Sequence, residues 1–350
     1  MTDPRPVNPG VRTVCIDAEH DGQRLDNFLF ACFRQVPKAR VYRSMRSGEV
    51  RVNKGRARQD YRLREGDMVR LPPLSQHVSP AQDAAPGADL TRALNAAVVF
   101  EDEQLLVLNK PSGLAVHGGS GQSHGLIEAM RAIRPQQKFL ELVHRLDRET
   151  SGVLVLAKRR AALVGLHGAL REGKVDKRYL CLLKGQWRGG GRRVDHALRR
   201  STGRNGERTM LVDSSGQRSS TAFTPLRTTS VASLMRARPH TGRTHQIRVH
   251  AAAVQMPVAG DDRYGDREFN RELHKLGLKR LFLHASSLKF RHPSTEEMLQ
   301  VQAPLPVDLI RVIEQLGITD SSEEFAARAH DNLQYGQNDA NTRPVSKDQP

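Results

Sequence analysis

The stretch HRLDRETSGVLVLAK, residues 144–158, places dense charge directly before an apolar run. Five of the six residues in HRLDRE are charged or titratable, whereas residues 153–157 have the length and β-branched content of a strand buried on both faces. Asp147, flanked by Arg145 and Arg148, is therefore expected at the edge of a core, partly desolvated yet held ionised by neighbouring positive charge. Such a carboxylate suits a nucleophile or a base better than an acid. A solvated loop with internal ion pairs is the alternative.

A second carboxylate, Glu149, follows Asp147 two positions later and raises the possibility of a glycosidase-type pair. Residues two apart on an extended segment share a face and lie side by side. Glycosidase carboxylates instead flank the scissile bond from different elements, about 5 Å or more apart. The spacing therefore argues against this pair and leaves Asp147 as a single reactive carboxylate.

The segment HTGRTHQIRVH, residues 240–250, combines basic residues with residues typical of a core. After Gly242 the polar and apolar positions alternate in a way that fits either a strand or a short helix. In both cases Arg243 and Arg248 lie among core-like residues, so they are not both simple surface charges. We expect this segment to offer Asp147 an arginine from a distant part of the chain.

The glycine-rich segment NKPSGLAVHGGSG, residues 109–121, has two interpretations. Its glycines would let the backbone approach a ligand closely, although the segment matches no phosphate-binding pattern. A β-hairpin connection would use the same residue types.

The 350-residue chain carries a formal net charge of +17. So large a positive charge favours a polyanionic partner, either a nucleic acid or a membrane surface. No apolar run approaches the roughly 18 residues that a spanning helix requires, and the N-terminal MTDPRPVNPG lacks the apolar core of a signal peptide. We therefore expect a soluble, cytoplasmic protein that binds nucleic acid and no membrane.

Neither the cysteines nor the histidines predict a metal site. Cys15, Cys32 and Cys181 are odd in number and far apart, which excludes a disulfide framework and a CxxC clamp. The closest histidine pairs, such as His245 and His250, lack HExxH or HxxxH spacing. We expect no metal and no cofactor.

Residues 12–72 predict a compact unit of two short helices and two strands. In GQRLDNFLFACF, Leu25, Phe28, Leu29 and Cys32 recur at the spacing of a core-facing helical stripe. PKARVYRSMRSG predicts a second, basic helix that starts near a proline and stops at a glycine. EVRVNKGR and GDMVRLP predict two short strands. On charge alone, a solvated surface is the ordinary explanation of the basic helix.

The remaining chain divides into a linker, a larger domain and a tail. Residues 73–92, rich in Pro, Ala and Ser, predict a flexible linker. Residues 93–317 predict an α+β domain with a mainly antiparallel mixed sheet, because short strands outnumber helices and no GxGxxG follows the first strand. Its last helix is predicted in PVDLIRVIEQLG. Residues 318–350 are polar and expected to be disordered.

The order of elements in residues 12–72 resembles the alpha-L (S4-like) RNA-binding domain, shared by a small-subunit ribosomal protein and tyrosyl-tRNA synthetases. The resemblance rests on RLDNFL, the basic helix, GEVRVNKGR and REGDMV. In that family the basic helix and the turn after it lie on RNA phosphates. The resemblance therefore implies six RNA contacts, which are Arg24, Lys38, Arg40, Arg43, Arg46 and Lys54.

The larger domain resembles the RluA-type pseudouridine synthases. The motifs, in order, are NKPSGLAVHGG, HRLDRETSGVLVLAK, KRYLCLLKG, TGRTHQIRVH, GDDRYG and LFLHASSLKF. With an alpha-L domain in front, the chain is similar to the C-type large-subunit subgroup, which modifies uridines in bacterial 23S ribosomal RNA. The pattern departs at Gln217, where the GKPAxT motif of the family has a lysine, so the RNA contact of that lysine is not carried over.

The resemblance implies individual roles. Asp147 of HRLD is the catalytic aspartate, and Arg248 of HQIR is the partner that keeps it ionised and oriented. Tyr179 of KRYL packs on the flipped uracil and is a candidate for proton transfer at its C5, while Arg145 helps to displace the base from its stack. Two more RNA contacts are expected, Lys110 and His117.

The implied reaction is isomerisation of uridine to pseudouridine in 23S ribosomal RNA by a monomeric enzyme without a cofactor. The ionised aspartate could attack C1′ of the ribose, add to C6 of the base or remove a proton from C2′, and the residues do not choose among these steps. Two alternatives are a non-catalytic factor for rRNA binding or ribosome assembly and an RNA N-glycosylase that releases free uracil. The first is disfavoured because binding alone requires none of Asp147, Tyr179 and Arg248.

Overall fold

The computed structural model describes residues 10–33, 36, 38–74, 86–118, 125–202 and 208–318. The chain forms two compact units, each built from three segments. Unit 1 consists of Met1–Arg148, Val153–Val175 and Lys289–Val301; unit 2 consists of Glu149–Gly152, Asp176–Leu288 and Gln302–Pro350. Most of the expected linker, 73–92, and nearly all of the expected tail, 318–350, fall outside the described residues, so the domain boundaries stay predictions.

The N-terminal part of unit 1 packs two helices against a small antiparallel sheet. Its elements are β1 (Arg12–Cys15), α1 (Leu25–Cys32), α2 (Lys38–Arg46), β2 (Arg51–Val52) and β3 (Met68–Leu71), with strand order β1-β3-β2. Leu25 and Leu29 are fully buried and Cys32 is partly buried, as the helical stripe predicts. Strand β1 was not predicted, because its residues are largely exposed and show no apolar alternation.

The other elements of unit 1 are paired strands with flanking helices. They are α3 (Ala88–Ala96), β4 (Val98–Glu101), β5 (Leu105–Lys110), α4 (Leu126–Ile133), β6 (Glu141–Leu142), β7 (Ser151–Ala157) and α5 (Arg160–Arg171); the first two residues of β7 belong to unit 2. Strand β5 lies between β4 and β7, and β6 pairs with β7. Every residue of β7 is buried, which confirms the predicted strand and gives the HRLD segment before it a rigid support.

Most of the remaining elements belong to unit 2, while β14 and β15 contribute residues to both units. They are β8 (Asp176–Lys184), β9 (Arg192–Val194), β10 (Leu198–Thr202), β11 (Arg208–Val212), β12 (Thr221–Thr228), β13 (Ala232–Pro239), α6 (Gln246–Ala253), α7 (Arg267–Lys275), β14 (Leu283–Arg291), β15 (Met298–Gln302) and α8 (Val307–Gln315).

The sheet of unit 2 has the strand order β14-β8-β13-β12-β9. The pairs β8/β13, β13/β12 and β12/β9 are antiparallel, whereas His284 and Ala285 of β14 pair in parallel with Ser151 and Gly152. Strands β10 and β11 form a separate antiparallel hairpin. The predicted α+β class with a mainly antiparallel mixed sheet is therefore confirmed.

Helix α6 packs on the face of this sheet that carries Tyr179. Ile247 and Ala251 of the helix lie in one apolar cluster with Cys181 and Leu183 of β8. Alternate residues of a strand share a face, so Tyr179, which packs on the same cluster, faces α6 as well. The cluster fixes the helix that bears Arg248 to the strand that bears Tyr179.

The last described helix, α8, has the boundaries that its flanking residues predict. Pro306 is its N-cap, and Gly317 follows its end with a φ of 68°. Proline favours a first turn, and a glycine tolerates the left-handed conformation that ends a helix. Across the described ranges, no helix is both long and apolar enough to cross a membrane.

Candidate active site

Asp147 lies in the irregular segment between β6 and β7. The preceding residue, Leu146, is only 5% exposed and anchors the segment in the core. Asp147 itself is half-buried, while Arg145 is exposed. This anchoring is not that of a freely solvated loop, and it leaves the carboxylate at the edge of the core.

The side chain of Lys110 links the HRLDR segment to the NKPSG turn. Its Nζ donates hydrogen bonds to the carbonyl oxygens of Pro111 (2.9 Å), Leu114 (2.8 Å) and Arg148 (3.0 Å). Gly113 and Arg148 add two bonds of 2.9 Å, one from the Gly113 N–H to the Arg148 carbonyl and one from Arg148 Nε to the Gly113 carbonyl. The NKPSG turn thus braces the residue that directly follows Asp147.

Lys110, one of the residues expected to contact RNA, is fully buried. Its side chain has no exposed surface, and an ammonium group donates at most three hydrogen bonds, here made to three carbonyls. These bonds offset the cost of removing its charge from water. Lys110 therefore supports the turn in this structure, and its expected contact with RNA stays a prediction.

His117 and Arg145 lie near each other on the surface of unit 1. Both side chains are exposed, and they interact electrostatically. Partial desolvation lowers the pKa of the His117 imidazole; nearby Glu128 raises it and Arg145 lowers it further. The NKPSGLAVHG and HRLD segments thus present two adjacent groups that can meet an anion. Residues 119–121, at the end of the glycine-rich segment, lie outside the described residues.

Tyr179 is half-buried on β8, where it pairs opposite Ala237 of β13. Its ring packs against the apolar cluster that includes Cys181 and Ile247. A phenol ring supported in this way has little freedom to move, so it can serve as a platform for a flat ligand.

Arg248 is held by a bidentate ion pair inside unit 2. Its Nε lies 2.7 Å from Oδ2 of Asp261, and its Nη2 lies 2.7 Å from Oδ1. The guanidinium carbon is 5.1 Å from the ring centroid of Tyr264. Burial alone would raise the pKa of Asp261, but the hydrogen bonds and charge of Arg248, with the N–H groups of Tyr264 and Arg263, hold it below its ordinary value. The expected pairing of Arg248 with Asp147 stays a prediction.

Helix α6 is locked to the start of β12 by buried polar side chains. Gln246 Nε2 donates to the Ser220 carbonyl (2.9 Å) and to Thr221 Oγ1 (3.0 Å). His250 Nδ1 lies 2.9 Å from Thr221 Oγ1, and its Nε2 lies 2.9 Å from Ser219 Oγ. Arg248 stands between these two anchors, so its backbone position is fixed on both sides. In the described part of the chain, His, Cys, Asp and Glu nowhere gather in groups of three or more that could hold a metal ion.

The basic residues expected on RNA in the N-terminal part differ in their surroundings. Arg43, Arg46 and Lys54 are exposed, and Lys54 lies in a turn with a φ of 67°. Arg24 donates to the buried Asp26 (Nη2–Oδ2, 2.7 Å), and Arg40 is paired with Glu49 at 3.3 Å. Lys38 belongs to α2, but its side chain lies outside the described residues. Arg43, Arg46 and Lys54 therefore present the most accessible charge.

Two residues of the site went unrecognised in the sequence. Asp261 and Tyr264 belong to GDDRYG, a motif quoted for the resemblance without a role for either residue. Tyr264 Oη also accepts a hydrogen bond from the Met210 N–H (2.9 Å) and lies 2.8 Å from Nδ1 of His245. Only the motif as a whole was a signal, since no spacing rule links Asp261 to Arg248.

Two family models match the chain. The family described as RNA pseudouridylate synthase matches residues 104–253, and the S4 domain matches residues 23–69. A protein of Yersinia pestis named ribosomal large subunit pseudouridine synthase C is 50% identical over 298 residues, covering 85% of this chain and 93% of the relative. A protein of the same name from Escherichia coli (strain K12) is 49% identical over 310 residues, covering 88% of this chain and 97% of the relative.

Two solved human structures are similar in fold. Human RNA pseudouridylate synthase domain containing 4 is 26% identical with a TM-score of 0.55, covering 65% of this chain and 96% of that one. Human RNA pseudouridylate synthase domain containing 1 is 28% identical with a TM-score of 0.52, covering 64% and 87%.

Proposed function

Because this chain belongs to the RNA pseudouridylate synthase family, we propose that it isomerises specific uridines to pseudouridine in bacterial 23S ribosomal RNA. The observation that carries the proposal is the identity of 49–50% over 85–88% of the chain to relatives named ribosomal large subunit pseudouridine synthase C. The net charge of +17 and the S4 domain match support an RNA substrate. We propose that the enzyme acts in the cytoplasm as a monomer.

The reaction asks for positioning rather than for redox chemistry. The bond between N1 and C1′ breaks, the uracil turns while it is held, and C5 bonds to C1′. C5 loses a proton and N1 gains one, so substrate and product have the same composition. A site that holds the detached uracil must also exclude water, which would otherwise leave an abasic sugar.

Asp147 is proposed to supply the catalytic carboxylate. The buried Leu146 before it and the braced Arg148 after it restrict its backbone on both sides. Such restriction lowers the entropic cost of reaching a reactive geometry. Attack at C1′, addition at C6 and proton removal at C2′ would all use this one carboxylate.

Tyr179 is proposed to stack on the target uracil. Moving a base out of its stack costs a few kcal/mol, which stacking on an aromatic side chain can offset. The ring of Tyr179 is already supported by the cluster around Cys181 and Ile247, so little conformational entropy is lost on stacking. Its phenol is also the candidate that relays the C5 proton.

Arg248 is proposed to orient Asp147 and keep it ionised. Asp261 holds two nitrogens of its guanidinium, which fixes the plane of the group before substrate arrives. A planar guanidinium fixed on one edge is a directional donor, unlike a flexible ammonium.

Exposed basic residues are proposed to bring the RNA to the enzyme. Arg43, Arg46 and Lys54 would contact phosphates through the N-terminal module, and Arg145 with His117 would help to displace the target base. Single-stranded or looped RNA is the favoured substrate, because unstacking costs least there.

The test is to map pseudouridine in 23S ribosomal RNA from a deletion strain complemented with the wild type, Asp147→Asn or Glu149→Gln. The first variant removes the proposed catalytic charge, and the second removes a carboxylate two residues away as the matched control. We expect the Asp147→Asn strain to lack the sites that the other two strains restore.

Each competing explanation has its own signature. Full modification by Asp147→Asn would remove Asp147 from the mechanism. No gene-dependent pseudouridine at all would favour a non-catalytic rRNA-binding or assembly factor. Purified enzyme that releases free uracil from a 23S transcript would be an N-glycosylase.

A further inference from the structure

Lys177 occupies a conspicuous place beside Tyr179. It lies two residues earlier on β8, so strand alternation puts both side chains on the same face of the sheet, about 7 Å apart along the strand. Its Nζ donates to the Thr241 carbonyl at 3.3 Å, which places it against the turn that leads into α6. Lys177 therefore faces the same side as the platform proposed for the uracil.

The neighbours of Lys177 compensate its charge poorly, both in hydrogen bonds and in opposite charge. The side chain is half-buried, and the 3.3 Å bond to Thr241 is at the long end of the range for hydrogen bonds. Among the residues that the structure describes, no carboxylate lies within ion-pair distance of its Nζ. Burial lowers the pKa of Lys177, with nearby Asp176 opposing this effect. A desolvated ammonium loses hydration, and one weak acceptor replaces only part of it, so its burial costs free energy.

Asp176, the carboxylate whose charge acts on Lys177, is already bonded to two arginines. Asp176 accepts from Arg178 Nε at 2.9 Å and from Arg238 Nε at 2.6 Å. Each of its two oxygens thus has an arginine partner, and alternation along β8 places Asp176 and Arg178 on the face opposite Lys177. An anion on the Lys177 face could accept the remaining donors of the ammonium.

We propose that Lys177 binds a phosphate of the RNA backbone next to the uridine that stacks on Tyr179. A phosphate oxygen would complete the hydrogen bonding of the ammonium and supply the counter-charge that no carboxylate provides. The spacing along β8 suits a single nucleotide, with its base on Tyr179 and a neighbouring phosphate at Lys177. The Tyr179 part of this arrangement rests on the proposed function, whereas the anion site rests on Lys177 itself.

The experiment compares Lys177→Met, Lys177→Arg and Lys174→Met in the full-length enzyme. Lys174 is exposed and paired with Glu172 at 2.6 Å, so its replacement removes the same charge without touching β8. Affinity for a single-stranded oligouridine is measured against salt concentration, and kcat and KM are measured on a 23S transcript. Thermal unfolding identifies any variant that fails to fold, in which case Lys177→Gln replaces the methionine variant.

The plot of log affinity against log salt has a negative slope. We expect Lys177→Met to make this slope shallower by about 0.7 to 1, since one phosphate contact is lost. KM should rise about 5- to 10-fold while kcat stays within about twofold, the signature of lost ground-state binding. Lys177→Arg should restore both values, because a guanidinium also binds phosphate. Lys174→Met should leave the slope nearly unchanged.

Equal slopes for Lys177→Met and Lys174→Met would overturn the proposal, and so would a fall in kcat with KM unchanged. Failure of the proposed function has a different signature, because the wild type would then form no pseudouridine. The salt slopes would still decide whether Lys177 binds phosphate.

Discussion

The arginines of α2 and the arginine of α6 use the same side chain in opposite ways. The side chains of Arg43 and Arg46 are exposed. Arg248 is 8% exposed and fixed by two bonds of 2.7 Å to Asp261. An exposed charge acts through a field that salt screens within about 10 Å, whereas a buried bidentate pair acts through geometry.

Under the proposed function, this difference would separate RNA binding from chemistry in the two regions. As an RNA contact, α2 would need positive charge of roughly the right density, which any cation can supply. As the support of Asp147, α6 would need one planar group at one orientation, which only arginine provides. A conservative change from arginine to lysine should therefore have little effect in α2 and a large effect in α6. In α2, a substitution that reverses the charge should have the larger effect.

The largest expected effect is that of Arg248→Lys, with Arg43→Lys as its match. Lysine cannot reproduce the bidentate contact, so Asp261 loses at least one of its two hydrogen bonds from the side chain at position 248. We expect kcat to fall on the order of 100-fold and the free energy of unfolding by about 1–3 kcal/mol. Arg43→Lys should leave both near the wild type. Steady-state kinetics measure kcat, and urea unfolding measures the free energy of unfolding. Equal effects at both positions would contradict the proposed difference between α2 and α6.

Reversing the exposed charges should affect RNA binding alone. For Arg43→Glu/Arg46→Glu we expect affinity for 23S RNA at low salt to fall roughly 10- to 100-fold and the salt slope to flatten by about 2. The larger domain predicted at residues 93–317 should unfold at the wild-type urea concentration. Arg43→Lys/Arg46→Lys is the control that keeps the charge. A wild-type salt slope in the reversed variant would argue against α2 as an RNA contact.

The smallest expected effect concerns His284, a buried imidazole that is held by hydrogen bonds and has no ion-pair partner among the described residues. Its Nε2 lies 3.0 Å from the Ala303 carbonyl, which can only accept, so Nε2 carries the proton and Nδ1 accepts from Ser151 Oγ at 2.9 Å. Desolvation lowers the pKa of His284 to about 4, below the ordinary value of about 6.5. Between these values the unfolded chain binds more protons, so stability is lost as the pH falls through this window.

Replacing His284 should therefore flatten the acid side of the stability curve. Between pH 7 and pH 5 we expect the wild type to lose about 1–2 kcal/mol more than His284→Gln, measured by urea unfolding. The exposed His274→Gln serves as the control and should follow the wild type. Parallel curves for all three proteins would show that His284 is not desolvated in solution.

Local patterns determined much of the fold. The stripe of Leu25, Phe28 and Leu29, the buried run of β7 and the Pro306 to Gly317 boundaries of α8 all appear in the structure as predicted. Each depends on periodicity or on terminal residues, which act over a few positions. The motifs HRLD and TGRTHQIR likewise indicated the family before any geometry was known.

The segment around Arg248 shows the limit of prediction from local sequence patterns. Alternation in THQIRV fitted a strand and a helix alike, and the helix prevails because Gln246 and His250 bond to β12 while Ile247 and Ala251 enter the core. These contacts are made between residues far apart in the chain, so no window of a few residues contains them.

The use of each charge depends on the folded arrangement of the chain. In the sequence Lys110, Lys177, Arg43 and Arg248 are alike as cations. Folding buries Lys110 among carbonyls, leaves Lys177 with one weak acceptor, exposes Arg43 and pairs Arg248 with Asp261. The physical reason is that the energy of a charge depends on its desolvation and its partners, and distant segments supply both.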